Sequence, residues 1–256
     1  MNKKISRLHF GVISIFPEMF YALDFGITGR AQREKRITVN YWNPRNYTND
    51  PRHRVDDRPY GGGPGMIMKY EPLYASIVAA SETLGNNSRV IYLSPQGQTL
   101  THNILVTLLT DVPLILLAGR YEGIDERLIE KCVDKEYSVG DYVLTGGELP
   151  SMILIDALTR LLPGVLGHED SALQDSFSNG LLDHSHYTRP ASIAKRKVPN
   201  VLLSGDHKAI ERWQVKKSLE RTWQRRPNLL ETRSLTTIER ILLDEVIYED
   251  RGRNIT

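Results

Sequence analysis

The sequence predicts an α/β domain with a mostly parallel sheet, followed by a small all-α domain at the carboxyl end. Through residue 165, short apolar runs alternate with helix-like segments. An aperiodic stretch with scattered Gly, Ser, Asp and Pro follows, and two long helical patterns come after it. Strands that alternate with helices favour a parallel sheet covered on both faces. We therefore expect an α/β domain over 1–165, an interdomain linker over 166–190 and a helical domain over 191–256.

Four apolar runs predict the strands of the first domain. They are rich in Val, Ile, Leu and Tyr and are bounded by Pro, Gly or Asn. The runs are LHFGVISI at 8–15, RITVNYW at 36–42, RVIYLS at 89–94 and PLILLAG at 113–119.

Segments with apolar residues at helical spacing predict the helices. In the first domain these are FPEMFYALDF at 16–25, EPLYASIVAASETL at 71–84, DERLIEKCV at 125–133 and LPSMILIDALTRLL at 149–162. In the second they are HKAIERWQVKKSLERTWQRRP at 207–227 and LTTIERILLDEVIYE at 235–249.

Composition and terminal sequence exclude several classes of protein. No apolar run approaches the roughly 20 residues of a membrane span, and MNKKISRLHF lacks the apolar stretch of a secretory signal. Cys132 is the only cysteine, so an intrachain disulfide is impossible. We expect a cytoplasmic protein without membrane association.

Positive charge is concentrated near the carboxyl end. Residues 1–188 carry a net charge of −4, residues 189–240 carry +8, and the last 16 residues carry −2. A basic region of this kind suits a polyanion such as nucleic acid. A solvated helical face rich in lysine is the alternative interpretation of the same charges.

Three glycine-bearing loops are candidates for a ligand site: SPQGQ at 94–98, GRYEG at 119–123 and SVGDYVLTGGELP at 138–150. The first two follow predicted strands, and open α/β sheets bind ligands at the carboxyl ends of their strands. Glycine lets the backbone approach a ligand closely, which leaves N–H and C=O groups free to bind an adenine edge. Each loop alone could simply be a tight turn, but three in series favour a ligand site.

Other motifs carry weaker signals. GGGPG at 61–65 has no preceding strand and no surrounding βαβ unit, and no GxxxxGK[ST] motif is present. His184 and His186 form a lone HxH, which is weak for zinc without further ligands. Arg160 could be a surface partner of Asp156, four residues earlier, and Asp175 could be a cap or turn residue.

Seven segments, in this order, resemble the bacterial tRNA (guanine-N(1))-methyltransferases of the TrmD family. They are DDRPYGGGPGM at 56–66, VIYLSPQGQ at 90–98, LAGRYEGIDER at 117–127, SVGDYVLTGGELP at 138–150, PGVLGHEDS at 163–171, QDSFSNGLLDHSHYTRP at 174–190 and VPNVLLSGDHKAIERWQ at 198–214. The resemblance spans about residues 7–230.

The resemblance implies a SPOUT-type fold, in which the chain is tied in a deep trefoil knot around the cofactor site. It also implies a homodimer whose active sites are built from both chains. The implied reaction transfers a methyl group from S-adenosylmethionine to ring nitrogen 1 of guanosine 37 in the tRNA anticodon loop. The family is associated with a dependence on Mg²⁺, but no acidic cluster in the sequence identifies a metal site.

The resemblance assigns roles to individual residues, and its cofactor residues belong to the three glycine-bearing loops. Asp175 matches the general base of the family, and Arg160 matches the arginine that contacts the target base. The implied cofactor-binding residues are Tyr92, Leu93, Ser94, Pro95, Gly119, Tyr121, Glu122, Val139, Gly140, Asp141, Tyr142, Val143, Leu144, Gly146 and Gly147.

The basic region predicts how tRNA is held. We expect phosphate contacts from cations in and before the first long helix of the second domain: Lys195, Arg196, Lys197, Lys208, Arg212, Lys216, Lys217, Arg221 and Arg225. Phosphate contacts position the RNA but carry little sequence information. Alternatives to the whole assignment are another SPOUT methyltransferase, a non-catalytic RNA-binding protein and a dehydrogenase that uses GGGPG to bind NAD.

Overall fold

The computed structural model describes residue 5 and residues 7–167 and 171–253. The chain divides into two compact units, Met1–Glu169 and Asp170–Thr256. The predicted linker 166–190 is thus shared between the units, and its residues 168–170 lie outside the described part of the chain.

The first unit is built around a five-stranded parallel sheet with the strand order β2-β1-β6-β5-β7. A separate antiparallel pair of two-residue strands, β3 and β4, lies between β2 and β5 in the sequence. The strands are β1 (Leu8–Ile13), β2 (Ile37–Trp42), β3 (Asp56–Asp57), β4 (Ile67–Met68), β5 (Arg89–Thr99), β6 (Leu114–Leu117) and β7 (Lys135–Ser138).

Helices cover both faces of this sheet. The α-helices of the first unit are α1 (Gly26–Arg33), α2 (Tyr70–Leu84), α3 (His102–Leu108), α4 (Glu126–Cys132) and α5 (Glu148–Leu161). Side chains alternate between the two faces of each strand, so Leu114 and Leu116 pack with α5, whereas Ile115 and Leu117 pack with α2 and α4. The predicted mixed α/β architecture with a parallel sheet is confirmed.

Several elements of the first unit differ from the sequence-based expectation. Pro17–Asp24, predicted as a helix, forms a 3-10 helix with Pro17 in its first turn. Helices α1 and α3 were not predicted, and strand β7, a short strand before Gly140, is not one of the four apolar runs. Helix α1, GITGRAQR, contains two glycines and little apolar pattern, so its helical state depends on burial of Thr28, Gly29 and Ala31.

The second unit has a small core and mostly helical structure. Leu181, Leu219 and Leu242 are buried together at its centre. Its helices are α6 (Ser171–Gln174), α7 (His207–Arg225), α8 (Asn228–Glu231) and α9 (Thr237–Arg253). Asp206 caps α7, because its carboxylate accepts hydrogen bonds from the backbone N–H groups of Lys208 and Ala209.

The expectation of an all-α second domain is wrong in one detail. Strands β8 (Ser192–Ile193) and β9 (Arg196–Lys197) form an antiparallel hairpin. Both residues of its turn, Ala194 and Lys195, have positive φ angles of 49° and 63°. A two-residue turn of this kind normally contains Asn or Gly, so the sequence carried no signal for it.

Among the described residues, the helices are too short or too polar to cross a membrane.

Candidate ligand site

Three loops meet where neighbouring parallel strands β6, β5 and β7 end. Because these strands are adjacent in the sheet, the residues that follow them come together at one edge. The three loops are the glycine-bearing segments singled out in the sequence. Together they enclose a cavity of about 340 Å³.

The first loop arises from an interruption of the ladder between β5 and β7. Leu93 and Gln98 both pair with Tyr137, so residues 94–97 loop out of the sheet. The Ser94 hydroxyl accepts a hydrogen bond from the backbone N–H of Gln96 at 3.0 Å and steadies the turn. This irregularity gives the cavity one of its walls.

The second and third loops are joined through their backbones. The N–H of Gly147 donates to the carbonyl of Gly119 at 2.8 Å, and Arg120 forms a β-bridge with Gly146. A Cβ atom at Gly147 would lie 2.7 Å from Cα of Ala118. The close approach of the two loops therefore requires glycine at position 147.

Gly140 controls the path of the third loop. Its φ angle of 147° is a conformation that other residues rarely adopt, and an added Cβ would lie 2.5 Å from the ring of Tyr142. Ser138 closes the turn on both sides, since its hydroxyl donates to the carbonyl of Gly140 and accepts from the N–H of Gly140. The hydroxyl of Tyr142 donates to the carbonyl of Val139.

Fourteen of the fifteen expected cofactor-binding residues line this one cavity. Asp141 does not belong to the lining, and its residue is exposed. The lining residues that were expected are Tyr92, Leu93, Ser94, Pro95, Gly119, Tyr121, Glu122, Val139, Gly140, Tyr142, Val143, Leu144, Gly146 and Gly147. Sequence reasoning missed Gln96, Arg120, Gly123, Tyr137, Ser138 and Pro150.

A buried ion pair supports the cavity from behind. The carboxylate of Glu148 is fully buried and accepts hydrogen bonds from Nε of Arg120 at 2.9 Å and from the hydroxyl of Ser14 at 2.7 Å. Arg120 also donates to the carbonyl of Thr145 and lies 4.7 Å from the ring centre of Phe16. Arg120 thereby ties the second loop to the third. Its motif GRYEG was noted for its glycines, and no sequence pattern linked Arg120 to Glu148.

Tyr92 keeps its hydroxyl protonated at neutral pH. Burial, with a smaller contribution from the carboxylates of Glu136 and Glu126, raises the pKa of Tyr92 to about 12. A Cβ atom at Gly119 would lie 3.0 Å from this hydroxyl. The ring therefore forms a neutral, partly apolar wall against the second loop.

The DDRPYGGGPGM segment contacts the second loop. The N–H of Glu122 donates to the carbonyl of Met66, and the N–H of Met68 donates to the carbonyl of Gly123, both at 3.0 Å. The Glu122 side chain packs against Gly65, where an added Cβ would collide with it. The segment therefore packs beside the second loop of the cavity. Its partial match to a dinucleotide-binding motif did not predict this position.

The two residues assigned to the target base belong to different units. Arg160 is a half-buried residue in the last turn of α5, and it does not line the cavity. Asp175 follows α6 and is half-buried within the second unit. Its backbone carbonyl accepts hydrogen bonds from the hydroxyl and the N–H of Ser178, which fixes a turn at this position.

Several cations expected to contact RNA are engaged within the second unit. Lys216 pairs with Glu245 and Glu249 of α9, at 3.0 and 2.7 Å, and Arg212 also pairs with Glu245. Lys217 pairs with Glu220.

Arg221 is also engaged, because it donates to the backbone carbonyls of Asp183 and His184. By contrast, the exposed side chains of Lys195, Arg196 and Lys197 in the β8–β9 hairpin form no ion pair with any described residue.

The fold and the cavity define a class of protein: a parallel α/β protein with a cavity of small-molecule size in glycine-bearing loops at the carboxyl ends of its strands. Within this class, the model of the family tRNA (Guanine-1)-methyltransferase TrmD matches residues 8–232. The chain belongs to this family.

Curated relatives match nearly the whole chain, and each has the name tRNA (guanine-N(1)-)-methyltransferase. A protein of Coxiella burnetii is 63% identical over 243 residues, which cover 95% of this chain and 99% of the relative. A protein of Idiomarina loihiensis is 57% identical, with 94% and 96% covered, and one of Pseudomonas putida is 57% identical, with 96% and 98% covered.

Proposed function

We propose that this protein transfers a methyl group from S-adenosylmethionine to ring nitrogen 1 of guanosine 37 in the anticodon loop of tRNA. The observation that carries the proposal is the match to the TrmD family, whose relatives in Coxiella, Idiomarina and Pseudomonas share 57–63% identity over nearly the whole chain. The cavity supports it as well, because fourteen of the residues that the resemblance assigns to the cofactor converge there.

The cavity suits S-adenosylmethionine in size and chemistry. Its volume of about 340 Å³ falls in the range of small-molecule sites. The glycine-bearing loops bring main chain close to the cavity, where an adenine edge could be bound, and Leu93, Val143 and Leu144 belong to the lining as apolar residues. When bound, S-adenosylmethionine supplies an electrophilic methyl group, so the protein contributes mainly alignment and a better nucleophile.

Asp175 and Arg160 are the residues proposed to act on guanine. Ring nitrogen 1 carries a proton at neutral pH, and this proton must leave as the methyl group arrives. The carboxylate of Asp175 accepts it as a general base. Negative charge then develops on the guanine 6-oxygen, where the guanidinium of Arg160 stabilises it.

A homodimer is part of the proposal, since it allows Arg160 of one chain and Asp175 of the other to serve one site. An exposed apolar face on the first unit supports it. Leu149 and Ile153 lie one turn apart on α5 and are 46% and 47% exposed. The neighbouring 3-10 helix exposes Met19 and Tyr21. Such a face is typical of an interface between protein chains.

Three further parts of the proposal come from the family resemblance: the trefoil knot around the cavity, a helical domain that holds tRNA, and the cytoplasm as the compartment. The resemblance also implies a magnesium dependence. Within the described ranges, the one cluster of three candidate metal ligands contains two histidines, whereas Mg²⁺ prefers oxygen ligands. We therefore assign no magnesium site.

Incubation with unmodified tRNA and labelled S-adenosylmethionine tests the proposal. We expect one methyl group per tRNA, and fragment mass spectrometry should place it on ring nitrogen 1 of guanosine 37. A tRNA with adenosine at position 37 is the matched control and should remain unlabelled. Methylation of a ribose hydroxyl or of another guanosine would overturn the assignment. RNA binding without S-adenosylmethionine binding would indicate a non-catalytic RNA-binding protein.

A further inference from the structure

Asp183, His184 and His186 form a compact cluster in the second unit. The sequence shows only a lone HxH, but the fold adds a carboxylate as a third candidate ligand. One potential ligand atom from each residue lies within 4.8 Å of the others. Nε2 of His186 is 2.7 Å from Oδ2 of Asp183, and Nε2 of His184 is 3.8 Å from Oδ1.

The surroundings of His184 prepare its ring for metal binding. Its Nδ1 lies 3.1 Å from the backbone carbonyl of Ser185. A carbonyl oxygen only accepts hydrogen bonds, so Nδ1 is the donor here. In the neutral ring with this tautomer, the lone pair is on Nε2, the atom that lies on the side of Asp183. Metal-ligating histidines almost always donate their other ring N–H to a carbonyl or carboxylate in this way.

Helix α7 holds the backbone of the cluster in place. Arg221 donates to the carbonyls of Asp183 and His184, each at 3.2 Å, and to the hydroxyl of Ser185 at 2.8 Å. Thr222 accepts from the N–H of Leu182 at 2.9 Å. The three ligands therefore belong to a fixed segment, and metal binding does not first have to order the chain.

We propose that Asp183, His184 and His186 bind a divalent transition metal ion such as Zn²⁺, with at least one coordination position left open. Imidazole and carboxylate are ligands that Zn²⁺ accepts, and three protein ligands with an open position are a common arrangement. The site is separate from the proposed magnesium requirement, because histidine nitrogen is a poor ligand for Mg²⁺. An ordinary Asp183–His186 ion pair is the competing interpretation.

Calorimetry with Zn²⁺ on the full chain, prepared without a histidine tag, tests the proposal. We expect one Zn²⁺ per chain, with affinity at least ~10-fold weaker in His184→Gln and in His186→Gln. His186→Gln is informative even if other variants misfold, because this side chain is 69% exposed. His207→Gln, an exposed histidine in the same unit, is the matched control and should bind like the unmodified chain.

Two further readouts complete the test, and neither depends on methyl transfer. Co²⁺ should give a ligand-field spectrum that both cluster variants lose and His207→Gln retains, and excess Mg²⁺ should not displace it. Equal Zn²⁺ binding by the unmodified chain and the two cluster variants would overturn the proposal, as would an equal loss in His207→Gln.

Discussion

The first and second units differ in what positions their candidate functional residues. In the first unit, the sheet brings three loops together, and five glycines belong to the lining of the cavity that they form. In the second unit, a core centred on three leucines supports a charged surface on which many side chains pair with each other. Motifs therefore identify the loops that meet at the cavity, whereas counting charges does not reveal which cations remain available to a partner.

The largest effect is expected for Asp175→Ala in the second unit. Turnover should fall by at least the ~10²-fold typical of losing a general base. Affinity for S-adenosylmethionine should stay close to that of the unmodified protein, because the proposed cofactor cavity belongs to the first unit. Single-turnover kinetics and calorimetry measure the two quantities.

Asp244→Ala, which removes an exposed carboxylate from α9, is the control for Asp175→Ala and should leave both quantities unchanged. An Asp175→Ala variant that retains most of its turnover would remove Asp175 from the mechanism.

The next largest effect is expected for Gly140→Val in the first unit. The substitution forces a β-branched residue into a conformation with a φ angle of 147° and pushes a side chain toward Tyr142. Such strain costs about 1–3 kcal/mol, and a loop that shifts to relieve it should lower the affinity for S-adenosylmethionine roughly 5- to 150-fold. Affinity for tRNA should change much less.

Gly167→Val is the matched control, because a Cβ at Gly167 meets no atom within 4 Å and its φ angle is not in the restricted range. A folded Gly140→Val variant with normal cofactor affinity would show that the third loop does not bind the cofactor.

The hairpin cations should matter more for RNA than the paired cations of α7. The sequence alone predicts phosphate contacts for Lys216, Lys217 and Arg221, but their interactions within the second unit make them poor reporters. Neutralising Lys195, Arg196 and Lys197 together should lower the log–log salt slope of tRNA binding by roughly 0.7–0.9 for each phosphate that the variant no longer neutralises.

Lys216→Gln is the contrasting variant, and it should loosen α7 from α9 while it leaves the salt slope nearly unchanged. Binding isotherms at four or more salt concentrations measure the slope. A hairpin triple variant with the original slope would place the RNA-binding surface elsewhere.

The smallest effect is expected when the pH is lowered, which should weaken the second unit before the first. Hydrogen bonds from Lys216 lower the pKa of Glu245, and a hydrogen bond from Arg233 lowers the pKa of Glu239. A lowered carboxyl pKa stabilises the fold fully above the unfolded value of about 4.3, and this contribution is lost as the pH falls through the folded value. The ion pairs of Glu245 join α7 to α9. In the first unit, the carboxyls with a lowered pKa, Asp50, Asp57 and Asp125, owe it mainly to hydrogen bonds from near neighbours in the sequence.

Below about pH 4, the fluorescence of Trp213 and Trp223 on α7 should therefore change before that of Trp42 in the first unit. Single-tryptophan variants separate the signals. Simultaneous transitions at every pH would argue against a selective weakening of the second unit.

The sequence predicted those features that depend on local pattern. Strands β1, β2, β5 and β6 were found because their runs are rich in Val, Ile, Leu and Tyr and are bounded by Pro, Gly or Asn, and the cavity loops were found because glycine marks close backbone approach. Strand β7 is absent from the apolar runs because KEYS is short and polar, and its strand state depends on pairing with β5. The Arg120–Glu148 pair joins residues that are 28 positions apart in the sequence, so no local pattern predicts it. The Asp183 cluster depends on the local backbone conformation of residues 183–186, which their spacing alone does not predict.

The central claim is that the two units contribute different residues to one reaction, across a dimer. Mixing Arg160→Ala with Asp175→Ala tests it most directly, since we expect each variant alone to have lost nearly all activity. After random subunit exchange, half of the dimers contain both variants, and each of these has one intact composite site, so about a quarter of the unmodified activity should return. No recovery after verified exchange would contradict the claim and show that each site is built within one chain.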